Sequence, residues 1–276
     1  MSISKIIWIC TDMEGLTGID DERQCYDTET PAYRHGREQL TADLNAAVAG
    51  CFDAGATEVR VLDGHGPNNN QGFIRDILDS RVKKVWWSST PGRFEGMDET
   101  VDAVAMIGQH SMAGTLHGFL DHTQCLRIIC RYMINGEERG EMSQFALHSG
   151  GYGVPLVYVS GDEALCREAA RQFPHVTSTP TKNGLEWSKC ELYPGDEVRA
   201  NIRRDIAHAL GNIDPSKAWK VDPPVEVTIE FSCSEHADKY EGLIGVTRIN
   251  ARTVSWKLAD QCDIYCWPSH EWHPLK

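Results

Sequence analysis

Short apolar segments alternate with helical segments through the first two-thirds of the 276-residue chain. Segments with apolar residues at three- and four-residue intervals, such as residues 34–54, predict helices. Strands that are apolar almost throughout are typical of a parallel sheet that helices cover on both faces. The sequence therefore predicts an α/β fold with a mostly parallel sheet. Its clearest strand candidates are residues 6–10 (IIWIC), 58–62 (EVRVL), 103–107 (AVAMI) and 155–159 (PLVYV), and a further strand is expected over residues 84–87.

The pattern changes near Tyr193-Pro194-Gly195. Beyond this point the chain carries a helical segment, two adjacent prolines and the alternating strand 225–231 (VEVTIEF), and a final helix is expected over residues 258–266. A chain of this length is long enough for one large or two modest domains. We therefore expect a larger α/β domain over residues 1–194 and a smaller α+β domain over residues 195–276. The smaller domain is also the one from which we expect contacts within an oligomer.

Charge and composition exclude several classes of protein. The formal net charge of -13 argues against binding to nucleic acid or to an anionic membrane, for which a basic surface is expected. No run of about 18 apolar residues occurs, so we expect no membrane span. The N-terminal segment lacks a signal-peptide cleavage site, and the ten cysteines are scattered. These features predict a cytoplasmic protein with reduced thiols.

Acidic and imidazole side chains follow three of the predicted strands. Asp12 and Glu14 end the first strand, and because they are two residues apart their side chains leave the same face. Asp63 and His65 end the second strand, and His110 ends the strand at residues 103–107. Ligands of open α/β sheets bind at the carboxyl ends of the strands, so we expect these groups to meet at one edge.

Carboxylate and imidazole ligands in this mixture suit zinc or another first-row divalent ion. Four such groups could hold two ions, which together activate water and polarise a carbonyl group. Asp63 is expected to orient His65 or a neighbouring ligand. The alternative is that the acids cap helices and the histidines form local hydrogen bonds. Two more groups lie close in sequence: His122, which His117 and Asp121 flank, and Glu141, which as the first residue of a helix also gains from the helix dipole.

The segments TDMEG, DGHG, GQH, GFLDH and GE resemble, in order and spacing, the D-aminopeptidase family DppA. The resemblance continues through VSGDE and VEVTIEF, so it covers nearly the whole chain. It implies a dinuclear zinc aminopeptidase or amidase that releases N-terminal, D-configured residues from short peptides or amino-acid amides. It also implies a ring-like homodecamer whose active sites face an inner channel. The catalytic residue would be His122, and the ligands of the two zinc ions would be Asp12, Glu14, His65, His110 and Glu141.

Three alternatives remain open at this point. The same metal centre could hydrolyse another small amide or a phosphoester. A transport-associated metal protein without catalytic activity would need the ligands but not His122. A separate small zinc site is also conceivable near the C-terminus, at Cys262, Cys266, His270 and His273.

Overall fold

The computed structural model describes residues 4–66, 72–86, 88, 90 and 92–269. Its strands are β1 (Ile6–Thr11), β2 (Glu58–Asp63), β3 (Val82–Lys84), β4 (Ala103–Gln109), β5 (Ile129–Ile134), β6 (Glu137–Glu138), β7 (Leu156–Asp162), β8 (Thr177–Glu186), β9 (Lys189–Leu192), β10 (Val225–Phe231), β11 (Val246–Arg248) and β12 (Thr253–Leu258). Its α-helices are α1 (Arg23–Tyr26), α2 (Pro31–Asp53), α3 (Glu141–Gly151), α4 (Glu163–Gln172), α5 (Gly195–Gly211) and α6 (Ser234–Asp238).

Seven strands of the described chain form one sheet in the order β3-β2-β1-β4-β7-β8-β9. Neighbouring strands are parallel except β9, which is antiparallel to β8. Alternate residues of β1 enter different cores, because Ile7 and Ile9 pack on one face of the sheet and Trp8 packs on the other. The predicted α/β fold with a mostly parallel, doubly covered sheet is confirmed.

Helices cover both faces of this sheet. On one face α2 and α5 pack against each other, and their apolar residues, such as Leu44 and Ile206, share a core with Ile9. On the other face α3 and α4 contribute Phe145 and Leu165 to the core around Trp8. No helix in the described part of the chain is long and apolar enough to cross a membrane.

A second sheet of five described strands has the order β11-β12-β10-β5-β6 and is antiparallel. Strands β5 and β6 precede residue 194 but pair in this second sheet, whereas α5 follows residue 194 and packs on the first. The points at which the chain passes from one sheet to the other therefore differ from the predicted domain boundary between residues 194 and 195. The division into two domains at that point stays a prediction.

Several elements differ from those expected. The strand predicted over residues 84–87 is Val82–Lys84, and residue 87 lies outside the described residues. In place of the final helix predicted over residues 258–266, β12 is followed by a short 3₁₀ turn, Gln261–Asp263, which the side chain of Asp260 caps. Strand β8 was not predicted, since its sequence TSTPTKNGLE lacks an apolar run. Its pairing with β7 stabilises the strand, which the propensity of its own residues does not favour.

Candidate metal centre

The strands β1, β2 and β4 end at the same edge of the large sheet. In the register of these parallel strands Thr11 lies beside Asp63 on one side and beside Ile107 on the other. The residues that follow each strand therefore meet in space. This is the edge at which ligands bind in open α/β sheets.

The loop after β1 is held against the end of β4 by backbone hydrogen bonds. The amide of Asp12 donates to the carbonyl oxygen of Ile107, and that of Gly15 donates to the carbonyl oxygen of Gly108, each at 2.8 Å. A Cβ atom at Gly15 would lie 2.1 Å from the carbonyl oxygen of Gln109, so this close approach requires glycine. These contacts fix Asp12 beside β4.

The predicted ligands form one cluster around Asp12. Its Oδ1 lies 2.9 Å from Nδ1 of His65, and its Oδ2 lies 3.4 Å from Nε2 of His110. Oε2 of Glu14 lies 3.6 Å from Nδ1 of His65, and Oε1 of Glu141 lies 3.3 Å from Nε2 of His110. The two oxygens of one carboxylate thus face two different imidazole–carboxylate pairs.

Each histidine of the cluster has its other ring nitrogen against a backbone carbonyl oxygen. Because a carbonyl group only accepts hydrogen bonds, that nitrogen carries a proton, and the remaining nitrogen faces the cluster, where it can bind a metal ion once it has lost its own proton. This arrangement is typical of metal-bound histidines. The pairs are His65 Nε2 with Cys25, His110 Nδ1 with Ser111 and His122 Nδ1 with Leu120, at 2.8, 2.9 and 2.9 Å.

The cluster concentrates negative charge in a buried place. Burial and the nearby charge of Glu14 raise the pKa of Asp12 to about 7. Burial also opposes the ionisation of Glu14, but the charges of His65 and His110 outweigh it and lower the pKa of that carboxyl group. The carboxylates in turn raise the pKa of both histidines, against the effect of burial. The carboxylates of this cluster therefore need positive charge beside them.

Divalent ions fit this requirement and the geometry. Ligand atoms lie within 4.8 Å of one another in two groups, one of Asp12, Glu14 and His110 and one of His110, His122 and Glu141. Two ligands of one tetrahedral zinc ion lie about 3.3 Å apart, given metal–ligand bonds of about 2.0 Å, and the nitrogen–oxygen distances above are close to this value. Nε2 of His110 is buried and forms no hydrogen bond with any described residue. A bound cation would satisfy this atom.

His122 reaches the cluster through the loop that follows β4. Its ring stacks on that of His110, with centroids 3.7 Å apart and an angle of 18° between the planes. Its Nε2 lies 4.0 Å from Oε1 of Glu141. Burial and the positive charge of His110 lower the pKa of His122, so its ring is neutral near pH 7.

Glu141 is the first residue of α3, and its carboxylate accepts a hydrogen bond of 2.6 Å from the backbone amide of Gln124. Glu141 lies both at the start of a helix, where the helix dipole favours an acid, and close to His110. A role in stabilising the helix and a role as a proposed metal ligand are therefore compatible. The two residues that flank His122 in the sequence, His117 and Asp121, belong to neither group of candidate ligands. His117 is exposed and contacts the carbonyl of Leu185, and Asp121 accepts a hydrogen bond from the amide of Gly114.

The structure adds contacts that the sequence did not indicate. Tyr26 donates a hydrogen bond to Oε1 of Glu14. Lys182, on β8, donates to the backbone carbonyl oxygens of Glu14 and Ile19 at 2.6 and 2.7 Å. These residues are distant in sequence from their partners and follow no recognisable motif. Asp63 was expected to orient His65, and it accepts a hydrogen bond of 3.3 Å from the backbone amide of that residue.

A small cavity of about 60 Å³ borders the cluster, next to Asp12, Gln109, Gln124 and Glu141. This volume corresponds to about two water molecules at roughly 30 Å³ each. The cluster is thus open to water on the side of Glu141. The alternative of a separate zinc site near the C-terminus stays open, since His270 and His273 lie outside the described residues.

Comparison with known proteins identifies the family to which these residues belong. The sequence model of a family described as D-aminopeptidase matches residues 6–268. The chain belongs to the D-aminopeptidase family. The predicted resemblance is confirmed, and so is the prediction of a peptidase, a hydrolase of peptide bonds. A non-catalytic role for the chain is set aside.

Two relatives within the D-aminopeptidase family are similar over almost their whole length. A D-aminopeptidase of Bacillus subtilis (strain 168) is 27% identical over 266 residues, which are 94% of this chain and 93% of the relative. A solved structure is described as the Zn-dependent D-aminopeptidase DppA from Bacillus subtilis, a self-compartmentalizing protease. It superposes with a TM-score of 0.87 at 26% identity and covers 94% of each chain.

Proposed function

We propose that this member of the D-aminopeptidase family is a zinc-dependent aminopeptidase with two ions per subunit. Its substrates are short peptides or amino-acid amides, from which it releases the N-terminal residue, of the D configuration. The observation that carries the two-ion centre is the position of Asp12 between His65 and His110, one carboxylate oxygen towards each. The zinc dependence described for the solved relative supports the choice of metal.

The distances support a division of the ligands between two ions. Asp12 Oδ1, Glu14 Oε2 and His65 Nδ1 would hold one ion, and Asp12 Oδ2, His110 Nε2 and Glu141 Oε1 would hold the other. Asp12 would then offer one carboxylate oxygen to each ion. Zinc bound in this way would supply an activated water molecule and polarise the scissile carbonyl group.

His122 is the residue proposed to move the proton. Its Nδ1 is committed to the carbonyl of Leu120, so the free Nε2 accepts a proton before it can donate one. A neutral ring near pH 7 is suited to this order of events: Nε2 takes up a proton from the attacking water and then passes it to the leaving amine. The lowered pKa of His122 favours the second transfer.

Elemental analysis combined with activity measurements tests the proposal. We expect two zinc ions per subunit, hydrolysis of D-amino-acid amides, loss of this activity on chelation and its return with zinc. A parallel screen of L-amino-acid amides and phosphoesters addresses the alternative hydrolase. If phosphoesters were hydrolysed faster than all amides, or if one ion sufficed for full activity, the proposed function would be wrong.

The assembly is proposed to be a homo-oligomer, a decamer by family resemblance. The solved relative is described as self-compartmentalizing, which supports an assembly that encloses its active sites. Light scattering coupled to size exclusion would give ten times the subunit mass for a decamer. A monomeric mass with full activity would contradict the assembly but not the metal centre. The cytoplasmic location stays a prediction.

A further inference from the structure

A second and larger cavity lies outside the metal centre. It has a volume of about 630 Å³ and is bordered by α2, by the segment that begins at Phe73, and by the end of β3. This volume is within the range of about 300–1,000 Å³ that is usual for sites of small ligands. None of the proposed metal ligands lines it.

Four cationic side chains line this cavity: Arg34, Arg37, Arg75 and Lys84. Among the described residues, no carboxylate oxygen lies within 4.0 Å of the charged nitrogens of Arg34, Arg75 or Lys84. Many arginines elsewhere on the surface are paired with acids, as Arg203 is with Asp53. The cavity thus collects positive charge that the described protein does not neutralise by direct contact.

Burial and the positive charges around the cavity lower the pKa of Lys84. The charges of Arg75 and Arg37 add to the effect of burial, although Asp63 opposes them. Two acids, Glu38 and Asp76, also border the cavity, so cations outnumber acids by four to two among the described residues that line it. The chain as a whole carries a net charge of -13, and a local excess of positive charge in it favours an anionic ligand.

Aromatic side chains form part of the same wall. The Nζ atom of Lys84 lies 5.3 Å from the ring centroid of Phe73 and 5.2 Å from that of Trp86. Trp86 is 40% exposed, which is unusual for a side chain of its size. An apolar wall beside guanidinium groups is a surface that can contact both parts of an organic anion.

We propose that this cavity binds a small organic anion in which a phosphate or carboxylate group is joined to an apolar or ring-shaped part. The oxyanion contacts Arg34 and Arg75, whose planar guanidinium groups suit bidentate binding of phosphate and carboxylate. The apolar part lies against Trp86. Lys84, whose Nζ atom lies 5.2 Å from the ring centroid of Trp86, adds a further positive charge to the cavity.

The cavity is connected to the metal centre by hydrogen bonds. Arg37 Nε donates to the carbonyl of Gly72 at 3.0 Å, and the amide of Gly72 donates to Asp63 Oδ2 at 2.6 Å. Asp63 in turn accepts from the amide of His65. The wall of the cavity at Arg37 is therefore three hydrogen bonds away from a proposed metal ligand, and a ligand in the cavity would not occupy the metal site.

Calorimetric titration of the zinc-loaded protein with phenylphosphonate tests the proposal, since this probe combines an oxyanion with a ring and cannot be hydrolysed. We expect one molecule to bind per subunit, and inorganic phosphate and succinate to bind more weakly because they lack the ring. The double variant R34Q/R75Q should weaken phenylphosphonate binding roughly tenfold or more, because it removes two charge-assisted contacts. The variant W86A should abolish the preference for phenylphosphonate over phosphate.

The matched control is R171Q/K239Q, which removes the same charge at exposed positions outside the cavity. It should bind phenylphosphonate as the unsubstituted protein does. Circular dichroism confirms that both double variants are folded. The proposal would be overturned if none of the three probes bound. It would also be overturned if R34Q/R75Q bound phenylphosphonate as tightly as the unsubstituted protein does, since the probe would then be bound to the zinc ions. Neither result would bear on the peptidase activity.

Discussion

The ammonium group of Lys182 lies 2.6 Å from the backbone carbonyl oxygen of Glu14, and both side chains are buried. The same group donates to the carbonyl of Ile19 and lies 4.8 Å from the ring centroid of Phe119. Lys182 thus joins the loop that carries two proposed ligands to the segment that precedes His122. It is a positioning residue, since it reaches the metal centre only through the backbone.

Replacing Lys182 with methionine should weaken zinc binding and destabilise the fold. The variant leaves the carbonyl group of Glu14 without its donor, at a cost of about 1–3 kcal/mol in the free energy of unfolding, and leaves that of Ile19 with only the weaker thiol donor of Cys190. The loop of Glu14 is then less well fixed, so we expect a lower zinc affinity. Denaturant unfolding and competition with a zinc chelator measure the two effects.

The matched control is Lys5, which also donates to two carbonyl groups, those of Ala54 and Leu210, but far from the metal centre. K5M should lower stability while zinc affinity stays unchanged. A zinc affinity that falls equally in K5M and K182M would reduce the role of Lys182 to general stability.

Asp12 should be required for both ions, whereas Glu141 should be required for one. D12N removes the bridging charge between His65 and His110, so we expect neither ion to be retained after dialysis. E141Q removes a ligand on the His110 side only, and we expect about one zinc ion per subunit. Elemental analysis of the dialysed variants distinguishes these outcomes, and equal zinc contents in the two variants would exclude a bridging Asp12.

Alanine in place of His122 should leave the metal content unchanged and lower kcat by about 10²–10⁴-fold, the usual contribution of a general acid–base group. His117 serves as the control, because it is exposed and lies in the same loop. Its backbone has a φ of 59°, so asparagine, which tolerates this conformation, is the suitable replacement. H117N should keep its activity. Loss of a zinc ion in H122A would instead identify His122 as a ligand, a role that its place near His110 and Glu141 permits.

His148 should make stability fall in acid. It is fully buried, its Nδ1–H donates to the carbonyl of Cys262, and burial lowers its pKa to about 4. The unfolded chain takes up this proton near pH 6.5, so the contribution of His148 is complete above that pH and is lost as the pH falls towards 4. The loss amounts to at most about 3 kcal/mol.

Phenylalanine at position 148 removes the titrating group and keeps a ring beside Phe94 and Tyr265. The free energy of unfolding of H148F, measured by denaturant titration between pH 7 and pH 4.5, should fall less steeply than that of the unsubstituted protein. Burial raises the pKa of Glu168 to about 7, an effect of opposite sign that is present in both proteins and cancels in the difference. H208Q, at an exposed histidine, should leave the slope unchanged. Parallel curves for H148F and the unsubstituted protein would contradict the assignment.

The parts of the site that the sequence predicted are those that follow from strand geometry. Asp12, His65 and His110 come directly after apolar strands, and the carboxyl ends of parallel strands meet at one edge. Glu141 and His122 reach the same place through a helix start and a long loop, so only the family resemblance singled them out. Their roles as ligand and catalytic residue remain predictions, although the structure brings them to within 4.0 Å of each other.

The remaining contacts depend on tertiary structure that no local pattern encodes. Lys182 lies on β8, a strand whose polar sequence is stabilised by its neighbour and not by its own propensity. Tyr26 and the carbonyl group of Cys25 lie on a four-residue helix that carries no periodic signal. The pairing of β5 with β10 joins residues almost a hundred positions apart, so the passage between the sheets could not be placed from sequence.

The chain leaves the metal centre at His122, forms β5 and β6 in the second sheet, and comes back to the centre at Glu141. The small sheet therefore anchors both ends of the segment that carries His122, the proposed proton-transfer group, and Glu141, a proposed ligand. Weakening the contacts of β5 with β10 would lower turnover although those residues are remote from the reacting atoms. An assembly that immobilises the small sheet would, for the same reason, sharpen the alignment of the site.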